Sequence, residues 1–110
     1  MRSRILSTLC FISVLVGQPS FTEHVITTTA FDATSVYAVD VDSDGDMDVL
    51  STWMSGDDKI VWYENNGSQS FTAHTISTSA ARSVYAADVD GDGDMDVLSA
   101  SGHDDKIAWY

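Results

Sequence analysis

An acidic nine-residue stretch occurs twice in the chain, as DVDSDGDMD from Asp40 to Asp48 and as DVDGDGDMD from Asp88 to Asp96. Each copy holds five aspartates, and a compact backbone brings that much negative charge together in water only when a cation lies among the oxygens. A tight loop with acids at positions one, three, five and nine and a glycine at position six suits a hard divalent ion. The sequence therefore predicts two calcium sites, one in each copy.

The spacing also predicts which groups bind the two Ca²⁺ ions. Position seven of each loop is expected to contribute its backbone carbonyl, which assigns Asp46 and Asp94 to the sites through the main chain. Solvated turns on an acidic face are the alternative interpretation of such a run. The predicted side-chain ligands are Asp40, Asp42, Asp44 and Asp48 in the first loop and Asp88, Asp90, Asp92 and Asp96 in the second.

The flanking residues distinguish these loops from an EF-hand. An EF-hand loop needs a bidentate glutamate at position twelve, where this chain has Ser51 and Ser99. Helices bracket an EF-hand, whereas these loops are preceded by Ser-Val-Tyr-Ala and followed by Val-Leu-Ser. Segments rich in β-branched and aromatic residues favour strands, so each loop is predicted to join two strands.

A longer repeat surrounds the acidic loops. Residues 21–28 match residues 71–78 at a shift of 50, the acidic loops match at 48, and residues 57–63 match 104–110 at 47. Four strands are predicted in one period, at about 36–41, 49–53, 59–64 and 71–77, with a hairpin turn at the Asn-Asn-Gly run of residues 65–67. The nearly continuous apolar runs at 36–39 and 60–63 predict central strands covered on both faces. A period just under fifty residues, made of short strands and turns, is typical of a propeller blade or a similar β array.

The first twenty residues have the pattern of a secretory signal peptide. Arg2 and Arg4 precede an apolar stretch at residues 5–16, and cleavage is predicted near Gly17. A retained anchor or a mistaken start site is the alternative. The only cysteine, Cys10, lies inside this stretch, so the mature chain would have no disulfides and metal would take over their stabilising role. The predicted location is secreted, extracellular, with no membrane insertion after removal of the signal.

The charge balance limits the partners. Seventeen acids against five bases give a net charge of −12, and ten of those acids lie in the two loops. Nucleic acid and anionic membrane surfaces are therefore excluded as partners. Two bound Ca²⁺ ions would change the net charge from −12 to −8.

Residues 83–101, together with the final Asp-Asp-Lys-Ile-Ala-Trp-Tyr, resemble the FG-GAP/VCBS repeat, which is the blade unit of integrin-alpha-like β-propellers. The resemblance covers essentially everything after the signal peptide. It implies an all-β fold of four-stranded antiparallel β-propeller blades, about two in number, with calcium bound between the first two strands of each blade by the aspartates assigned above. The implied division is an outer strand and linker at 21–34, a first blade at 35–82 and a second blade at 83–110 that lacks its outer strand.

Two blades cannot close a ring, so the chain is expected to be part of a longer propeller or to form homo-oligomers. No nucleophile elbow, reactive cysteine or phosphate loop occurs, and no catalysis is predicted. The predicted function is a secreted calcium-binding module for adhesion or recognition of a protein or carbohydrate ligand, or a structural module. The alternatives are an accessory module or fragment of a larger extracellular enzyme, for example one that degrades polysaccharides, and a truncated product without function.

Overall fold

Seven β-strands form two antiparallel sheets in the computed structural model, which describes residues 17–110. Sheet 1 has the order β1-β2-β3-β4 and sheet 2 the order β5-β6-β7. The all-β prediction and the four strands of the first repeat are confirmed. The strands are β1 (Ala33–Val39), β2 (Asp48–Trp53), β3 (Lys59–Asn65), β4 (Phe71–Ser77), β5 (Ser83–Ala87), β6 (Asp96–Ser101) and β7 (Lys106–Trp109).

Short turns make each sheet a simple up-and-down meander. Between β3 and β4 the predicted Asn-Gly turn is present, and Gly67 has a φ of 82°, a left-handed value that suits glycine. The backbone N–H of Asn66 donates to the backbone carbonyl of Ser70 at 3.0 Å and closes this turn. Neighbouring strands of each sheet follow one another in the chain, and the short connections between them lead to antiparallel pairing.

The hydrophobic core lies between the two sheets. Leu50 and Ile60 of sheet 1 are fully buried and pack with Val84, Ala86 and Val97 of sheet 2. Full burial of one such aliphatic side chain is worth about 1.5–3 kcal/mol. Successive side chains of a strand point to opposite faces, so the stacking of the sheets covers one face of each.

One predicted central strand is an edge strand. The run at residues 60–63 lies in β3, where Ile60, Val61 and Tyr63 are buried as expected. The run at 36–39 lies in β1, at the edge of sheet 1, and Val36 is 71 % exposed. The prediction of a strand covered on both faces is therefore wrong for β1, because apolar composition shows strand propensity but does not show position within a sheet.

Residues 21–28 are predicted to form an outer strand; within the described chain the segment belongs to neither sheet and bends at Ile26 and Thr28, so the outer strand stays a prediction. Residues 23–27 instead line a cavity of about 520 Å³ over the face of sheet 1 that carries Val36, Val49 and Tyr63. A strand requires the backbone groups of a sheet edge, whereas a sheet face offers side chains. The segment therefore finds apolar contact there but no ladder of hydrogen bonds.

The predicted signal peptide lies almost wholly outside the described residues, which begin at Gly17. Residues 17–20 are exposed and belong to neither sheet. A search of the described part of the chain for a helix with the length and apolar character needed to cross a bilayer found none.

Candidate metal centres

Each acidic loop connects the first two strands of its sheet. The first loop follows β1 at Asp40 and ends where β2 begins at Asp48, and the second follows β5 and ends where β6 begins at Asp96. The strands on either side pair directly, so that Val39 lies opposite Asp48 and Ala87 lies opposite Asp96. Strand pairing therefore brings the two ends of each loop together and forces the chain between them into a tight turn.

In the first loop, three of the predicted ligands converge. Asp40, Asp42 and Asp48 each place a carboxylate oxygen within 4.8 Å of the others. Asp48 is completely buried, and its two carboxylate oxygens accept the backbone N–H groups of Val41 at 3.0 Å and Asn65 at 2.8 Å. These bonds hold the buried carboxylate in one orientation, facing the other two acids.

The backbone of the first loop wraps around Asp40. Its carboxylate accepts the N–H of Asp44 at 3.1 Å and of Gly45 at 2.9 Å. Gly45 has a φ of 92°, which a residue with a side chain rarely adopts. The glycine at position six thus provides the reversal that turns the main chain back over the acidic cluster.

The second loop repeats this geometry. Asp88, Asp90 and Asp96 form the equivalent cluster, again with oxygens within 4.8 Å of one another. The Asp88 carboxylate accepts the N–H of Gly93 at 2.9 Å, and the Asp96 carboxylate accepts the N–H of Val89 at 2.8 Å. The same fold of the backbone therefore arises from two copies of the sequence that differ at one position, Ser43 against Gly91.

The other predicted side-chain ligands are not members of the two clusters. The clusters found among residues 17–110 leave out the side chains of Asp44 and Asp92, which instead accept the N–H groups of Asp46 and Asp94 at 2.8 and 2.9 Å. The Asp46 carboxylate lies beside Gly67 in the β3–β4 turn, away from the cluster. The structure thus brings together three of the four predicted side-chain ligands in each loop.

Crowding changes the acidity of one carboxyl group in each cluster. Desolvation raises the pKa of Asp42, and the nearby charges of Asp44 and Asp48 raise it further against the lowering effect of the Asp44 backbone N–H. At Asp90 the N–H of Asp92 lowers the pKa most strongly, but desolvation and the carboxylates of Asp92 and Asp96 together outweigh it and leave the pKa raised. Each cluster therefore has a carboxyl group that holds its proton more tightly than an ordinary aspartate does.

The donor set fits a hard divalent cation. All the converging atoms are carboxylate oxygens, whereas zinc and copper sites usually contain imidazole or thiolate. Ca²⁺ takes six to eight oxygen ligands in a flexible arrangement. Three carboxylates offer up to six oxygens, and the carbonyls of the wrapped backbone lie nearby in the chain. The clusters Asp40, Asp42, Asp48 and Asp88, Asp90, Asp96 can therefore hold a metal ion of this class.

Sequence reasoning missed a second support for the first loop. Asn65, at the end of β3, donates its backbone N–H to Asp48 and its side-chain amide to the Met47 carbonyl at 2.9 Å. Gly67 approaches so closely that a Cβ atom placed on it would lie 2.8 Å from an Asp46 carboxylate oxygen. The Asn-Asn-Gly run was interpreted only as a hairpin turn, and nothing in its letters showed that the turn would contact an acidic loop.

A family model described as FG-GAP-like repeat matches residues 40–99, more than half of the chain. The chain belongs to the FG-GAP-like repeat family. The matched range begins at the first aspartate of the first loop and includes the whole of the second loop, so both candidate metal centres lie inside this FG-GAP-like region. The predicted family is therefore confirmed. Comparisons with curated proteins and with solved structures found no match.

Proposed function

We propose that this FG-GAP-like protein is a secreted, calcium-binding β-propeller-type module that acts in adhesion or recognition, or as a structural unit, without catalysis of its own. The observation that carries the proposal is the pair of three-carboxylate clusters at equivalent strand junctions of successive sheets. A single acidic cluster is common on protein surfaces. Two clusters of the same geometry, 48 residues apart within one repeat, favour a function that is repeated with the blade.

Ca²⁺ in these loops would stabilise the fold by neutralising charge. Ten of the seventeen acids lie in the two loops, and mutual repulsion of the carboxylates opposes the tight turn when no cation is present. Asp48 belongs both to the metal cluster and to β2, so an ion bound there would tie the loop to the middle of sheet 1. In a chain with no disulfide after residue 16, this is the strongest cross-link available.

The proposed environment agrees with this role. Extracellular calcium modules usually bind with dissociation constants of about 10⁻⁴ to 10⁻³ M, which matches the calcium concentration outside cells but not inside them. The signal-like pattern of residues 1–20 supports export. The ligand is proposed to be a protein or a carbohydrate, since a net charge of −12 repels nucleic acids and anionic membranes.

An accessory module of a larger extracellular enzyme is the second candidate. The observation in its favour is an apolar face of sheet 2, with Ile107 79 % exposed and Trp109 51 % exposed, which suits contact with further protein. In that case polysaccharide-degrading activity would belong to another part of the assembly. Hydrolysis of a polysaccharide by the isolated chain would contradict both candidates.

Calcium binding is the direct test. Isothermal titration with CaCl₂ is expected to give two ions per chain, and Asp42→Asn or Asp90→Asn is expected to remove one ion each. The matched control is Asp57→Asn, because Asp57 is an exposed aspartate outside both loops with only a long 4.0 Å contact to Lys59. The absence of binding at millimolar calcium, or loss of both ions in the control, would refute the proposal.

A further inference from the structure

The two acidic loops differ only at their fourth position, where the first has Ser43 and the second has Gly91. Both residues are exposed, and both have a left-handed backbone, with φ values of 61° and 75°. Glycine adopts this conformation without strain, whereas in a residue with a side chain the Cβ atom comes too close to the following carbonyl oxygen. The wrapped form of the loop therefore costs more conformational free energy at Ser43 than at Gly91.

The surroundings of Ser43 do not offset this cost. Asparagine and aspartate tolerate a left-handed backbone best, because their short polar side chains form local hydrogen bonds. The Ser43 side chain is exposed, and within the described residues the first loop is held by backbone N–H groups of other positions, among them Asp44 and Gly45. The hydroxyl of Ser43 therefore adds no bond that favours the wrapped form.

The second loop has an additional hydrogen bond at this position. The N–H of Gly91 donates to the Asp88 carboxylate at 2.8 Å, alongside the two N–H groups that follow it in the loop. The Asp40 carboxylate of the first loop accepts the equivalent two N–H groups, and the described residues show no bond to it from Ser43. Backbone N–H groups bound to a carboxylate hold it in place. The first carboxylate is therefore held more firmly in the second loop than in the first.

The wrapped loop is the form that brings the carboxylates together for a metal ion. Repulsion among the five carboxylates of each loop favours opening, so wrapped and open forms compete until a cation binds. The apparent affinity for the ion falls with the fraction of molecules in which the loop is wrapped. A residue that disfavours the wrapped form therefore weakens metal binding without contacting the ion.

We propose that Ser43 makes the first loop the weaker of the two calcium sites, so that the second loop fills first as the calcium concentration rises. This inference rests on the calcium binding proposed above. A left-handed residue with a side chain changes an equilibrium constant by about five- to thirtyfold relative to glycine. Because the wrapped form already exists with the loop empty, we expect the lower value, about fivefold. Ser43 is thus a positioning residue, which acts through its backbone and is not a ligand.

Unequal filling gives the two loops different roles. Between the two dissociation constants the second loop holds its ion, while the first loop changes from open to wrapped. Asp48 ends the first loop and accepts the backbone N–H of Asn65 at the end of β3, so wrapping of this loop is coupled to the β3–β4 turn. The first repeat therefore responds to calcium at concentrations that already saturate the second.

Isothermal titration of the full chain with CaCl₂ tests the two loops one at a time. An Asp90→Asn background leaves the first loop as the site observed, and an Asp42→Asn background leaves the second. The dissociation constant of the first loop is expected to be about fivefold higher than that of the second. Ser43→Gly is expected to lower the first constant by about this factor, and Gly91→Ser is expected to raise the second by the same factor.

Two control substitutions separate the backbone effect from other effects. Ser43→Ala removes the hydroxyl but keeps the Cβ atom, so it should leave the calcium affinity of the first loop unchanged. Ser55→Gly introduces a glycine at an exposed serine outside both loops, and Ser55 is not among the residues of positive φ in the described chain. This variant should change neither site. If Ser43→Ala strengthens binding as much as Ser43→Gly does, the hydroxyl is responsible and the proposal is overturned.

Hydrogen exchange in excess chelator measures the wrapped fraction without any metal. The backbone N–H groups of Asp44 and Gly45 donate to the Asp40 carboxylate, so they are protected from exchange only while the first loop is wrapped. Their protection factors are expected to be about fivefold lower than those of the equivalent N–H groups in the second loop. Ser43→Gly should remove this difference.

These measurements distinguish failure of the unequal filling from failure of the proposed calcium binding. If neither loop binds calcium at millimolar concentration, the proposed function is refuted and the order of filling with it. If two ions bind but Ser43→Gly leaves the dissociation constant of the first loop unchanged, the role of Ser43 alone is refuted. A first loop that fills before the second, or equal protection of the two loops in chelator, likewise overturns the proposal while leaving calcium binding in place.

Discussion

The backbone N–H of Asn65 donates to the carboxylate of Asp48 over 2.8 Å and joins the end of β3 to the first acidic loop. Asp48 lies in β2 and accepts a second N–H from Val41 inside the loop. One buried carboxylate therefore connects three parts of the first repeat. In the second repeat, Asp96 accepts the N–H of Val89, which is the counterpart of the Val41 contact.

Gly67→Ala is expected to destabilise the protein and to weaken calcium binding at the first loop more than at the second. The new Cβ would lie 2.8 Å from an Asp46 carboxylate oxygen. The alanine would also have to adopt the backbone φ of 82° that glycine has here. The backbone conformation alone costs about 1 kcal/mol. Gly56→Ala is a well-matched control, because Gly56 has a φ of 83° and nothing within 4 Å of its Cβ position. Urea unfolding and calcium titration should show the larger loss for Gly67→Ala, and equal losses would contradict the proposed contact.

Asp48→Asn is expected to lower the free energy of unfolding by about 1–3 kcal/mol even in chelator, because an amide nitrogen would then face a backbone N–H. Asp48 accepts two such groups, from Val41 and Asn65. Asp57→Asn, at an exposed aspartate outside both loops, should have the smaller effect. Denaturant unfolding in excess chelator isolates this effect from metal binding. The opposite order of the two variants would show that the Asn65 contact contributes little.

Calcium is expected to raise the melting temperature, with the stabilisation growing as the logarithm of its concentration. At a hundred times the dissociation constant, each site contributes about 2.7 kcal/mol. Calorimetry in calcium, in chelator, and in sodium chloride of equal ionic strength separates specific binding from screening of the −12 charge. A rise in sodium chloride that equals the rise in calcium would contradict specific sites.

Protonation of Asp42 and Asp90 is expected to favour the metal-free fold and to weaken calcium binding. The pKa values of Asp42 and Asp90 are raised above the ordinary 3.8, so the folded chain binds these protons more tightly than the unfolded chain does. These two groups therefore stabilise the metal-free fold as the pH falls toward their raised pKa values. Protons also compete with calcium for the same carboxylates, so calcium affinity should fall in this range. In excess chelator, Asp42→Asn should reduce the pH dependence of the free energy of unfolding; an unchanged dependence would refute this assignment.

Much of the fold could be predicted because the determinants are local. The strands around Val49 and Ile60 show their apolar runs, the Asn-Gly turn shows its reversal, and the repeat shows that the pattern occurs twice. Convergence of Asp40, Asp42 and Asp48 followed from spacing, since paired strands fix the ends of the loop. The side chain of Asp44 was harder to place. Its carboxylate accepts the backbone N–H of Asp46, two residues further on, and this hydrogen bond competes with metal coordination.

Tertiary contacts were less visible in the sequence. Residues 21–28 have the composition of a strand, yet strand formation depends on an available edge and not on the segment itself. Likewise, the letters of residues 36–39 resemble those of residues 60–63, but Val36 is 71 % exposed whereas Val61, on the same face of sheet 1, is buried, because β1 is at the edge of the sheet and β3 is inside it. Position in the sheet is a property of the whole chain.

The meander order of both sheets has a consequence for folding. Within each sheet, every strand pairs with the strands next to it in the chain. The loops between them are short, so closing them costs little conformational entropy and the sheets can form rapidly, one hairpin at a time. The same locality limits cooperativity, since an opening at one end need not spread through the molecule. Within residues 17–110, β7 is four residues long and pairs with β6 alone, so its amide hydrogens should exchange with solvent before those of β2 and β3.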